Sequence, residues 1–199
     1  MIIDDTIGLV CARAGSKRLP DKNKLPIGNT NLTNFALSKL VNLGLRDVYL
    51  LTNMAGFEGK HVIKRPEFLN GDDVPLQNVA LWFLHRWRMD LPSYTHGLLL
   101  IPTNPLIMVE DLERAQNLLA DNSKFNILRS YDIDGNENGM YWFDIKYVLS
   151  NTLQYDTYTR SIVFPGKEIH TNDEYLYFKK IVEERHVFDE KVDYSRNWS

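Results

Sequence analysis

The stretch Val10 to Asn23, Val-Cys-Ala-Arg-Ala-Gly-Ser-Lys-Arg-Leu-Pro-Asp-Lys-Asn, constrains this chain more than any other segment. It starts where the apolar run Ile7, Gly8, Leu9 and Val10 reads as a buried first strand. It then gathers Gly15, Ser16 and the cations Arg13, Lys17, Arg18, Lys22 and Lys24 into one short turn. Small residues let backbone N–H groups approach an anion, and clustered cations neutralise several of its oxygens together. A buried strand that delivers such a turn belongs in an open α/β sheet, where ligands sit outside the carboxyl ends of the strands. The turn is built for a polyphosphate. It is neither a P-loop nor a dinucleotide turn, since Gly-x-x-x-x-Gly-Lys-Ser/Thr and Gly-x-Gly-x-x-Gly are both absent.

The remaining apolar pattern alternates short runs with helical periods. Strands are expected at Ile7–Val10, Asp47–Thr52, Gly97–Ile101, Phe125–Leu128 and Gly139–Phe143, with an edge strand at Ser161–Phe164. Helices are expected from Leu32 to Leu43 with Gly44 closing the end, from Leu76 to Trp87 stopping before Pro92, and over Val109–Leu119. Two more are read at Ile145–Leu149 and Asp173–Glu184. Glu110 and Asp111 complement the amino-terminal dipole of the third helix. This alternation predicts a mostly parallel sheet with helices on both faces. No linker rich in Pro, Gly or Ser interrupts it, so residues 1–199 read as one domain.

Charge and cysteine content narrow the function classes. With 23 basic and 26 acidic residues the net charge is −3, so the surface as a whole is not expected to bind nucleic acid, and the cations of the first turn are a local feature. Cys11 is the single cysteine, which excludes an intramolecular disulfide, and a reducing, cytoplasmic setting is expected. A thiol in this place reads as core, and with no histidine partner in evidence a cysteine nucleophile is not expected. The amino terminus Met-Ile-Ile-Asp-Asp does not read as a signal peptide, and no apolar run is long enough to span a membrane.

The order Ala12-Arg13-x-x-Ser16-Lys17-x-Leu19-Pro20-x-Lys22-Asn23 resembles the signature of the acylneuraminate cytidylyltransferase family, which includes the CMP-sialic acid and CMP-Kdo synthetases. Three further segments resemble the family in the same order. Arg65-Pro66-Glu67-Phe68-Leu69-Asn70-Gly71-Asp72 is similar to its Arg-Pro-x-x-Leu-Ala-x-Asp segment. Leu99-Leu100-Ile101-Pro102-Thr103-Asn104-Pro105-Leu106 is similar to Leu-Leu-Gln-Pro-Thr-Ser-Pro-Leu, and Asn138-Gly139-Met140-Tyr141-Trp142 to Asn-Gly-Ala-Ile-Tyr.

The resemblance implies a single Rossmann-like nucleotidyltransferase fold and transfer of CMP from CTP to a sugar or sugar acid, with release of pyrophosphate. It implies Mg²⁺ or Mn²⁺ as cofactor, and CTP and a small sugar acceptor as partners. Nucleotide contacts would come from Ala12, Arg13, Ala14, Gly15, Ser16, Lys17, Lys22, Asn23, Arg65 and Asp72. Arg13 would grip a phosphate with its guanidinium and Lys22 would act as a point charge on the transferred phosphate. Thr103, Asn104, Asn138 and Tyr141 would face the sugar. Glu168 and His170 stand where the family carries the two aspartates of Asp-Ile-Asp-Thr, so they are the expected metal ligands, although His is a poor ligand for Mg²⁺.

The chain also departs from the family. Ile101 replaces its Gln and Ile107 the Arg that commonly follows Pro-Leu, so two polar groups expected near a sugar acid are apolar. Only the segment 122–137 precedes Asn138, too short for the family's long sugar-covering and dimerising insert. A monomer or a differently built dimer is therefore expected. Two other readings stay open: a catalytically silent nucleotide-binding protein, and a nucleotide-sugar-dependent glycosyltransferase using Asp132 and Asp134, which a turn explains equally well.

Overall fold

The computed structural model describes residues 2–87, 94–121, 125–151 and 158–185. A buried strand β1 (Thr6–Ala12) stands at the centre, hydrogen-bonded in parallel to β4 (Val48–Thr52) on one side and β6 (His96–Leu100) on the other. All seven β1 residues are buried, which is why its sequence is apolar on both faces. The order continues outward from β4 to a short parallel strand β5 (Val62–Lys64), and from β6 through β8 (Glu137–Asp144) and β7 (Ile127–Tyr131) to β9 (Thr159–Val163). Four strand pairs are parallel, and β8 runs antiparallel to both its neighbours. That reversal follows from the tight hairpin joining β7 to β8. Asp132 closes it, accepting from the backbone N–H of Asp134 and Asn136 at 2.9 and 2.8 Å.

Helices cover both faces, as the alternation requires. On one face α1 (Leu32–Asn42) and α3 (Val109–Ala120) pack over Val10, Ala12, Leu50 and Leu100. On the other, α2 (Leu76–Trp87) and α4 (Ile145–Asn151) pack over Ile7, Leu9, Cys11 and Leu99. Alternate side chains of one strand thus feed two separate cores. The Asn31 side chain caps α1, accepting from Asn34 N–H at 2.9 Å, and Gly44 adopts φ +97° just past its end, as its position predicts.

Sequence periodicity did not mark β5 or the two-residue hairpin of β2 (Pro26–Ile27) and β3 (Thr30–Asn31). Both are too short to display a period. Strand β7 lies two residues beyond its expected start, where it pairs with β9 along the sheet edge. The expected stop of α2 before Pro92 falls outside the described residues. Among those described, no helix is long and apolar enough to cross a membrane.

The last helix, α5 (Asn172–Arg185), decides where the site forms. Its buried residues Tyr175, Phe178 and Val182 join Leu19, Ile27, Leu32 and Phe35 in a third core. The Gly28 N–H also donates to Glu183 at 2.7 Å. A capping box starts the helix: Thr171 Oγ1 accepts from Glu174 N–H at 3.2 Å, and Glu174 accepts from Thr171 N–H at 3.0 Å. Glu174 also accepts from His170 N–H at 2.8 Å, so the box extends one residue back toward Glu168.

Candidate functional site

The carboxyl ends of β1 and β6 open onto two adjoining cavities of about 210 and 320 Å³, which share Arg13, Ser16, Lys22, Asp72 and Glu168. Arg13 leaves β1 at the cavity mouth. Its loop is held from two sides: Ala14 N–H donates to Asn53 Oδ1 at 2.8 Å, and Asn23 Nδ2 donates to the Arg13 carbonyl at 2.9 Å. Asn23 is anchored in turn by Thr33, whose hydroxyl donates to its carbonyl at 2.7 Å. Gly15 takes φ +79° with open space beside its Cα, so the turn needs a residue free of left-handed strain.

Lys22, expected from sequence, is nearly buried and donates from Nζ to Glu168 Oε1 and to the Ile169 carbonyl, both at 2.9 Å. Lys22 and Glu168 are 146 residues apart in the chain. Docking of α5 against the β2–β3 hairpin, and the Ile169 N–H bond to the Thr103 carbonyl at 2.8 Å, bring them together. Arg13 and Asp72 form an ion pair, and Lys17 Nζ reaches the other Asp72 oxygen at 2.6 Å. Hydrogen bonds from Lys17 and Arg13 hold the Asp72 carboxyl below the usual carboxylate range.

Deeper in the cleft sit Arg65, Asn23, Cys11, Ile101 and Thr103. Arg65 is 4% exposed; one nitrogen donates to the Leu69 carbonyl, and burial pushes the guanidinium below its ordinary pKa. Among the described residues, Arg65 Nε and Asn23 Oδ1 are buried polar atoms without a hydrogen-bond partner. Burial pushes the Cys11 thiol up to about 12, against a nucleophilic role at neutral pH.

The sequence-predicted residues therefore divide. Arg13, Ser16, Lys17, Lys22, Asn23, Arg65, Asp72, Thr103, Glu168 and His170 line the two cavities. Ala12, Ala14 and Gly15 form the supporting backbone. Asn104 and Asn138 are not brought into the cleft. Asn104 Nδ2 donates to the carbonyls of Asn138 (3.1 Å) and Pro165 (3.4 Å), and Asn138 Nδ2 to those of Phe164 and Gly166 (3.2 and 3.3 Å). They brace the segment that leads to Glu168. Tyr141 is buried in the α2-side core and donates to Glu137 at 2.5 Å. Ile101 lines the cleft, whereas Ile107 lies in the α1–α3 core.

Asp132 and Asp134 lie at a separate cavity of about 680 Å³ beside α5, which shares no lining residue with the cleft. Asp132 spends its oxygens on the hairpin turn. That cavity is the largest of the three, but it lacks the convergent cations of the cleft. Sequence reasoning missed Asn53 and Lys39. Asn53 carried one signal, its place directly after a strand. Lys39, on the buried face of α1, donates to the Pro105 carbonyl at 2.9 Å and so braces the Thr103 loop.

Among the described residues no group of three or more His, Cys, Asp or Glu side chains could hold a metal. Glu168, with its side chain 37% exposed, and His170 do share the outer cavity. Two such side chains make no closed protein cage; an ion beside them would take most of its ligands from water and a bound phosphate.

No protein-family model and no curated protein sequence matches the chain. Solved structures match on fold. CMP:2-keto-3-deoxy-manno-octonic acid synthetase, solved with CTP, gives a TM-score of 0.70 at 14% identity, covering 92% of this chain and 100% of that one. A cytidylyltransferase from Leptospira borgpetersenii serovar Hardjo-bovis gives 0.60 at 18% identity, over 96% of this chain and 91% of its own. Rv0371c from Mycobacterium tuberculosis, solved with manganese, gives 0.62 at 19% identity, over 88% and 98%. At such identities the likeness establishes a shared fold.

Proposed function

We propose that the protein is a nucleotidyltransferase that joins CMP from CTP to a sugar or sugar acid and releases pyrophosphate. The observation that carries this reading is the cleft at the carboxyl end of β1. Cations line its mouth, and the buried side chains of Asn23 and Arg65 line it further in. This pairing suits a ligand that is polyanionic at one end and offers hydrogen-bonding edges at the other, as a nucleoside triphosphate does. The proteins named above share the fold, and one of them was solved with CTP.

In the reaction the acceptor hydroxyl oxygen bonds to the α-phosphorus, the bond from that phosphorus to the bridging oxygen breaks, and pyrophosphate leaves with the electron pair. The hydroxyl proton passes to water. Arg13 and Lys22 hold the phosphates and offset the charge that develops on the leaving group. Asn23 and Arg65 read the base or ribose. Thr103, close to Ile101, faces the acceptor. Glu168 with His170 would hold Mg²⁺ or Mn²⁺, whose chemistry is neutralisation of the triphosphate. Ile101 makes this wall apolar, which favours an acceptor smaller than sialic acid or one carrying its charge elsewhere.

The test is pyrophosphate release from each nucleoside triphosphate, with Mg²⁺ or Mn²⁺ and a panel of sugars, sugar acids and sugar phosphates. Release with CTP and one acceptor is expected. Tight CTP binding without release under every condition would instead mark a silent binding protein.

A further inference from the structure

Three cations of the first turn are paired with carboxylates from distant segments. One Asp72 oxygen takes the Arg13 guanidinium and the other takes the Lys17 ammonium, while Glu168 separately takes Lys22. Asp72 reaches them from the loop after β5, 59 residues beyond Arg13, so the contact belongs to the tertiary fold and not to the turn itself. A carboxylate and a phosphoryl group present similarly spaced oxygens to a basic fork.

We infer that Asp72 is the resident anion of this pocket: its carboxylate stands where one phosphoryl group of the substrate binds, and it must release Arg13 and Lys17 for that group to enter. The inference rests on the nucleotidyltransferase reading and adds to it a self-inhibiting contact. It also divides the polyphosphate site into two positions, one at Arg13 and Lys17 and one at Lys22. Displacement is feasible because the ion pairs are partly exposed, with the Asp72 and Arg13 side chains each 30% and Lys17 83% accessible. Such pairs hold weakly, and a polyphosphate brings more charge to the same donors. The Asp72 carboxylate also offsets the mutual repulsion of Arg13 and Lys17.

Asp73 supplies the control. It lines the same outer cavity with the same charge, yet makes no ion pair among the described residues. Binding of inorganic pyrophosphate is measured by calorimetry at fixed ionic strength for the wild type, Asp72→Asn, Asp72→Ala and Asp73→Asn, with thermal midpoints confirming that each is folded. Both Asp72 variants are expected to bind about two- to tenfold tighter than wild type, and Asp73→Asn to gain clearly less. Binding that is unchanged or weaker in the Asp72 variants would overturn the inference and leave the function standing. An equal gain in Asp73→Asn would overturn it in favour of a general charge effect. Failure of every protein to bind pyrophosphate or CTP would sink the proposed function, and this inference with it.

Discussion

Gly139 faces the cleft wall from β8, and replacing it by Ala tests how that wall is built. A Cβ at this position would lie 2.1 Å from Ile101 Cγ1 and 2.2 Å from its Cδ1, on a backbone with φ +103°. Overpacking of this kind costs about 1–3 kcal/mol, and a left-handed Ala adds about 1 kcal/mol. Gly139→Ala is therefore expected to destabilise the protein by about 2–4 kcal/mol in urea unfolding. The clash can be eased by moving Ile101 outward into the cleft, so CTP affinity should fall as well.

Ile101→Ala removes the clashing atoms, and a double-mutant cycle isolates the clash from the backbone strain. The double variant should be less destabilised than the sum of the singles by about 1–3 kcal/mol. Additivity within about 0.5 kcal/mol would show that Ile101 is not what requires a glycine here.

Arg13→Ala and Lys22→Ala should each weaken CTP binding by about 1.5–3 kcal/mol, the worth of a charge-assisted contact; the unfolding midpoint should change little for Arg13→Ala but fall for Lys22→Ala, which removes the donor to Glu168 and the Ile169 carbonyl. Calorimetry in which neither variant loses affinity would refute the phosphate site. Glu168→Gln should raise the Mn²⁺ concentration needed to form a CTP–Mn²⁺ complex, read by electron paramagnetic resonance; an unchanged titration would remove Glu168 from the metal assignment. Lys39 is buried, and desolvation lowers its pKa from 10.5 to about 7. Between those values the unfolded chain holds a proton that the folded one has lost, so this residue makes stability rise with pH, by up to ~1.4 kcal/mol per pH unit. Lys39→Met should lack that rise when the two proteins are compared in urea from pH 7 to 10, and parallel pH profiles would refute it.

Sequence alone determined the elements whose period is long enough to be read, and the local chemistry of the first turn. Strand β1 is apolar on both faces because two helical layers bury it. Helix α2 runs from Leu76 to Trp87, as its stripe predicts. That Arg13, Lys22 and Asn23 line one cleft was legible because they lie close together in the chain, directly after β1. The capping box of α5 follows a local pattern too, Thr171-x-x-Glu174.

What partners those cations was beyond local pattern. Asp72 meets Arg13 and Lys17 only because β5 adds to the sheet edge and its following loop returns over the turn. Glu168 meets Lys22 only because Tyr175, Phe178 and Val182 dock α5 against the β2–β3 hairpin. Asn104 and Asn138, polar and near the strand ends, carry no mark in the sequence to separate a ligand contact from a brace. The carbonyls they hold lie on other segments, at Pro165, Phe164 and Gly166, and only packing brings those within reach. Periodicity reports which face of an element is buried, whereas ion pairs between distant segments depend on how whole layers dock, and that is decided in three dimensions.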